Sequence, residues 1–204
     1  MEEHLVEKFE NDTHKLCIYQ DDIRPDPREN GEFLGTMVYS HRDYILGDVK
    51  AENIDCYSSW DEWFAHELGD DVIALPLYMY DHSGITIRTH PFNCPWDSGQ
   101  VGYIYVTKED VRKEWNVKRI SSKLKKKIID ILEAEIEVYD QWGRGDVYGF
   151  VLSKKCSCNE CNHEHDDVID SCWGFYGTDW EYNGMTDHLD DIGIELLKSE
   201  PVEV

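Results

Sequence analysis

The sequence predicts an α+β fold: a mainly antiparallel sheet built from hairpins and packed with about four helices. Three observations carry this. Short runs of alternating apolar residues come in neighbouring pairs separated by turn residues, which is the hairpin pattern. Longer stretches repeat their apolar residues every three or four positions, which is the helical pattern. The two kinds of stretch are intermingled without a βαβ rhythm, which argues against a parallel sheet.

Two alternating runs, His4 to Phe9 and Lys15 to Gln20, flank the turn-forming Glu10 to Thr13, so the chain opens with a hairpin. Asp21 to Glu32, with Pro25, Pro27 and Gly31, reads as a loop, and Gly35 to His41 as a strand. Ser58 or Ser59 caps a helix running to Leu68, with Trp60, Trp63, Phe64 and Leu68 on one face. Val72 to Tyr80 is continuously apolar and ends in Asp81-His-Ser-Gly, after which Ile85, Ile87 and Thr89 alternate with Thr86 and Arg88. This is the strongest hairpin signal in the chain. Val101 to Val106 is a further strand. Thr107 caps the next helix to about Trp115, with Asp110 completing a capping box.

Ser121 or Ser122 starts the longest helix, to about Trp142, with its buried stripe at Leu124, Ile128, Ile131, Leu132, Ile136 and Tyr139. Lys123, Lys125, Lys126 and Lys127 lie in its first turns, and Glu133, Glu135, Glu137 and Asp140 later, an order that opposes the helix dipole. The charges read as a solvated face; the sharper reading of the lysines is a basic patch for self-association with an acidic face. Asp146 to Ser153 and Val168 to Tyr176 read as the last two strands, joined by a Cys/His-rich hairpin loop at 154–167. Asn183-Gly184 forms a turn, and Met185 to Ser199 an amphipathic helix. At 204 residues, with no repeat or linker-like stretch, the expected organisation is one domain over 1–204.

Charge narrows the class of function. The chain has 43 acidic and 20 basic residues, a formal net charge of −23. By stretch the acids and bases number 12 and 6 in residues 1–50, 9 and 1 in 51–100, 9 and 10 in 101–150, and 13 and 3 thereafter. Such a field repels nucleic acid and anionic membranes and steers basic proteins inward. With 41% hydrophobic residues, including seven Trp, the chain is too apolar for disorder. No run approaches the roughly 18 apolar residues of a membrane span, and the acidic N-terminus does not read as a signal peptide, so the expected location is cytoplasmic. There is no phosphate-binding glycine loop and no zinc-protease HExxH, so no nucleotide cofactor is expected.

Two constellations carry chemistry. Cys156, Cys158, Cys161, His163 and His165 put three thiols and two imidazoles within ten residues, the donor types of a tetrahedral zinc site. Four such ligands would close the site, making any zinc a structural staple; the competing reading is an exposed hairpin tip with reduced thiols. The second is His82 with Cys94 and Asp97 in the following loop, the residue types of a cysteine nucleophile, its base and an orienting carboxylate. The sequence around them lacks any nucleophile-elbow signature, and Asp-His-Ser-Gly is more economically a turn.

The stretches LPLYMYDHSGITI from Leu75, PFNCPWDSGQVGYIYV from Pro91, YDQW from Tyr139, GDVYG from Gly145 and DSCWGFYG from Asp170 resemble a family of small acidic proteins. Bacteriophages and mobile elements of Gram-positive bacteria encode that family. The resemblance spans residues 33 to 177. It implies that the Cys/His loop is an elaboration of this member on a shorter acidic turn, and that the setting is a phage-infected host cytoplasm. It carries no catalytic residues with it.

Charge and resemblance together lead to a non-enzymatic inhibitor of a basic, nucleic-acid-handling host protein, such as a restriction nuclease or CRISPR effector, by partial mimicry of phosphate charge. The partner-binding candidates are Asp166, Asp167, Asp170, Asp179, Glu181, Asp187, Asp190, Asp191 and Glu195. Acidity for solubility alone is the bland counterpart. The rivals are a small hydrolase built on His82 and Cys94, and a zinc-stapled interaction module.

Overall fold

A computed structural model describes residues 4–30, 32–157 and 164–202. It has the mixed α+β content predicted, with two sheets dominated by antiparallel pairing. The chain divides into two compact units: a terminal unit of Met1–Arg24 with Gly145–Val204, and a central unit of Pro25–Arg144.

In the terminal unit, β1 (Leu5–Glu10), β2 (His14–Gln20), β8 (Val147–Ser157) and β9 (Glu164–Tyr176) form a sheet in the order β1-β2-β8-β9, all antiparallel. Asn11 makes the opening turn, its Oδ1 accepting from the backbone N–H groups of Thr13 and His14. Strand alternation puts Leu16 and Ile18 of β2 and Phe150 and Leu152 of β8 on one face, where Phe175, Met185, Leu189 and Leu196 cover them.

The C-terminal helix is not continuous as the periodicity predicts. Met185–His188 is a 3₁₀ turn, Leu189 is extended, and Asp190 caps a separate helix, Asp191–Leu197, by accepting from the Gly193 N–H at 2.8 Å. A capping aspartate competes with helix continuation, and here the cap wins.

The central unit is a sheet with a helix on each face. Its order is β4-β3-β7-β5-β6, from β3 (Thr36–Tyr39), β4 (Val49–Lys50), β5 (Val72–Asp81), β6 (Ile85–Arg88) and β7 (Ser98–Thr107). Only the short β3/β4 pair is parallel. Met37, Ile104 and Val106 face α4 (Ser122–Arg144), whose Ile128, Leu132 and Ile136 are buried against them. Val38, Tyr103 and Tyr105 face the other way, toward Trp60, Trp63 and Phe64 of α2 (Trp60–Glu67). Ser59 caps α2, and Thr107 caps α3 (Lys108–Glu114), as predicted. Gly102 lies under β3: a Cβ there would sit 2.0 Å from the Val38 carbonyl oxygen.

The proline-rich segment predicted as a loop contains a helical turn, α1 (Pro27–Asn30), and the centre of a largely buried ion network. The Arg28 side chain is 4% exposed. It donates to both oxygens of Asp48, to the Gly35 carbonyl and to Glu135 of α4. Glu135 accepts from the Leu34 N–H at 2.7 Å and the Gly35 N–H at 3.1 Å, and Asp48 from the Met37 N–H at 2.7 Å. The charge pattern assigns Glu135 to a solvated face, yet it is buried, and burial raises its carboxyl above the ordinary value in spite of Arg28.

Arg28 is therefore the cation common to two carboxylates. Arg28→Met leaves both without it and is expected to cost about 3–5 kcal/mol in urea unfolding, the range for an unpaired buried charge. Gly102→Ala forces two strands apart and is expected to cost roughly 1–3 kcal/mol by the same measurement.

Candidate functional site

The loop between the last strands is shorter than predicted. β8 continues to Ser157 and β9 begins at Glu164, with Lys154 opposite Asp167, Lys155 opposite Asp166 and Cys156 opposite His165. Asp166 is held by Lys15 of β2 and Lys155 by Glu10 of β1, so the residues that look like an acidic and basic loop extend the ladder. Cys158, Cys161 and His163 lie outside the described residues.

Cys156 and His165 are brought together, and a third residue joins them. Asp167 lies two positions from His165, on the same face of β9. Its Oδ2 accepts from the Cys156 Sγ at 3.4 Å, and its Oδ1 lies 3.4 Å from the His165 Nε2. Among the described residues this is the one trio of Cys, His and carboxylate side chains whose ligand atoms all lie within 4.8 Å of one another. The hydrogen bond to Asp167 holds the Cys156 thiol above its ordinary value. The sequence places Asp167 among the partner-binding acids and outside the metal ligands, because the predicted strand starts at Val168. The signal was present in the alternation His165-x-Asp167.

Beside the trio runs a charged ladder. Glu10 Oε2 takes Lys155 at 3.0 Å and Lys8 at 3.1 Å, and Lys15 pairs with Asp166. Lys155 first and Lys8 second hold Glu10 below its ordinary value of 4.5.

His82, Cys94 and Asp97 do meet, in the wrong order for nucleophilic catalysis. The Cys94 thiol donates to Asp97 Oδ2 at 3.6 Å, and His82 Nδ1 lies 3.7 Å from the same oxygen. The carboxylate stands where a base should take the thiol proton. The sulfur and imidazole do not close into a trio with it as Cys156 and His165 do with Asp167. All this lies at the exposed end of the β5/β6 hairpin, with His82 stacked 6.0 Å from Tyr80.

All nine acidic candidates fall in the terminal unit and are exposed. Asp166 pairs with Lys15 and Asp167 with His165. The other seven have no ion-pair partner among the described residues, although Asp190 is occupied as a helix cap and Asp170 accepts from the Ser171 N–H. The terminal unit carries 21 acidic and 6 basic residues, the central unit 22 and 14.

The central unit's bases are concentrated: residues 108–127 hold nine against three acids. Lys108, Arg112, Lys118, Arg119 and Lys125 line a groove of about 370 Å³ between α3 and the start of α4. The lysines 123–127 signalled this patch, but the spacing gave no hint that α3 contributes to it. No helix among the described residues is long and apolar enough to cross a membrane. Comparison with family models, curated proteins and solved structures finds no match.

Because Glu10 sits below its ordinary value, its contribution to stability is present above the normal carboxylate range and lost as pH falls through the depressed value. Glu10→Gln is expected to lower the urea midpoint at neutral pH and to flatten its fall between about pH 5 and 2.

Proposed function

We propose that the terminal unit is an acidic docking module for a basic protein, and that the protein acts as a non-enzymatic inhibitor of a nucleic-acid-handling host enzyme, of the restriction-nuclease or CRISPR-effector kind. The observation that carries this reading is the concentration of charge. The terminal unit holds 21 acidic side chains against 6 basic, and seven exposed candidate carboxylates have no cation at ion-pair distance among the described residues. Carboxylates left unneutralised by the protein's own lysines are available to a partner's.

The choice of a nucleic-acid enzyme rests on the family resemblance and on the sign of the charge. The magnitude of spacing limits how literal any mimicry is. B-DNA carries one charge per about 1.7 Å of axis, and a strand rises about 3.3 Å per residue. Asp166, Asp167 and Asp170 therefore place three carboxylates along a length over which a duplex has about eight charges. β9 alone is too sparse to copy a phosphate backbone, so the reading is of a docking face supplemented by Asp179, Glu181, Asp187, Asp191 and Glu195. The hydrolase reading finds less support, since Asp97 intervenes between the groups that would have to exchange a proton.

The test is an affinity measurement against a basic nuclease captured from bacterial lysate and then purified. Exposed charges are screened beyond about 8 Å at physiological ionic strength, so affinity should fall steeply between low and high salt. Reversing Asp187, Asp191 and Glu195 to Lys should weaken binding at least tenfold and relieve inhibition in proportion; Asp190 is left intact because its carboxylate caps the last helix. Binding unchanged by reversal and by salt would reduce the acidity to a matter of solubility.

A further inference from the structure

We propose that Cys156, His165 and Asp167 form a three-ligand site for a divalent metal ion of borderline softness, zinc in the first instance, on the outer end of the β8/β9 hairpin. It does not rest on the docking reading, with which it shares Asp167 alone. It differs from the all-thiol-and-imidazole set expected from the sequence by making a carboxylate the third ligand.

The donor set is the first argument. Thiolate, imidazole and carboxylate are the three side-chain ligands of zinc, and the combination of one soft and two harder donors disfavours calcium and magnesium, which require oxygen. The geometry is the second. With metal–ligand bonds of 2.0–2.3 Å, a tetrahedron places sulfur about 3.5 Å from an oxygen ligand and nitrogen about 3.3 Å from it. Cys156 Sγ lies 3.4 Å from Asp167 Oδ2, and His165 Nε2 lies 3.4 Å from the other oxygen, Oδ1. Each oxygen of the carboxylate is thus at ligand-to-ligand distance from one of the other two donors, and one ligand atom from each of the three residues lies within 4.8 Å of the others.

The backbone is the third argument. Cys156 and His165 are a direct cross-strand pair, and Asp167 follows His165 by one strand period, so the ligands are held by paired strands and not by a free loop. The bound ion would join β8 to β9 across the end of their ladder, replacing the thiol proton now shared with Asp167. Three protein ligands leave a fourth position open to water or to a further donor.

Cobalt(II), a spectroscopic stand-in for zinc, titrated into the metal-stripped full chain tests this. The expected result is one equivalent bound, with a sulfur-to-cobalt charge-transfer band, displaced by zinc. Cys156→Ser should remove that band. Asp167→Asn and His165→Gln should each weaken binding at least tenfold, and circular dichroism should show the exposed variants folded. Cys158→Ser with Cys161→Ser should retain the band. Absence of binding at micromolar metal would overturn the proposal. So would a site that survives Asp167→Asn but is lost with Cys158 and Cys161, since that would be a loop site of sulfur and nitrogen donors alone.

Discussion

The pairing of β2 with β8 is the constraint on which the terminal unit depends. It joins residues 14–20 to residues 148–154 in unbroken register, from His14 against Lys154 to Gln20 against Tyr148. The whole central unit lies between the two strands in sequence. Closing a loop of that length costs only modestly more than closing a short one, since the entropy grows with the logarithm of length. What offsets it is the apolar face that the pairing completes. Leu16, Ile18, Phe150 and Leu152 are each at most 1% exposed, and neither hairpin alone has a partner for them. Fixing β8 in this way also fixes β9, and with it the acidic edge and the Cys156 end of the hairpin.

Charge does opposite jobs in the two units. In the central unit the Arg28 guanidinium and the Glu135 carboxylate are taken out of water and satisfied by backbone groups, with the part-exposed Asp48 as the guanidinium's second partner, tying α1, the start of β3 and α4 together. Buried ions of this kind contribute geometry more than net stability, because desolvation consumes most of the Coulomb gain. In the terminal unit the carboxylates remain in water, where each costs little individually and their mutual repulsion is screened. The Glu10, Lys8, Lys155 and Lys15, Asp166 ladder is where the terminal unit spends its few cations: on holding β1, β2, β8 and β9 in register.

Periodicity made the regular elements legible. The opening hairpin, the β5/β6 hairpin, the capped helices α2 and α3 and the long α4 follow from alternation, stripes and caps that act over a few residues. Features set by distant partners were not legible. Glu135 looks like any glutamate on a lysine-rich helix until Arg28, 107 residues away, is brought to it. The two-residue β4 has no pattern of its own and exists because Tyr39 and Val38 have an edge to offer. The C-terminal segment failed for a local reason: its stripe of Leu189, Ile192, Leu196 and Leu197 is helical in period, yet Asp190 sits in it as a cap. Of the candidate site, the sequence supplied Cys156 and His165 and withheld Asp167, because the strands had to be extended by their charged pairs before the alternation could be read.

Those charged pairs decide the chemistry as well as the length of the hairpin. Side chains alternate faces along a strand, so a slip of one residue in β8 would carry Cys156 to the face opposite His165 and Asp167. Against such a slip stand the ion pairs of Asp166 with Lys15 and of Lys155 with Glu10, which tie both strands to β1 and β2, together with the irregularity at Leu152/Ser153 that sets the register locally. The contrast with His82, Cys94 and Asp97 shows what register adds. There the same three residue types are gathered by a turn and a loop, and thiol and imidazole both approach one oxygen of the carboxylate without all three coming within 4.8 Å of one another. On the ladder, two of the three are placed by strand pairing and the third by strand period, and their ligand atoms all lie within 4.8 Å of one another.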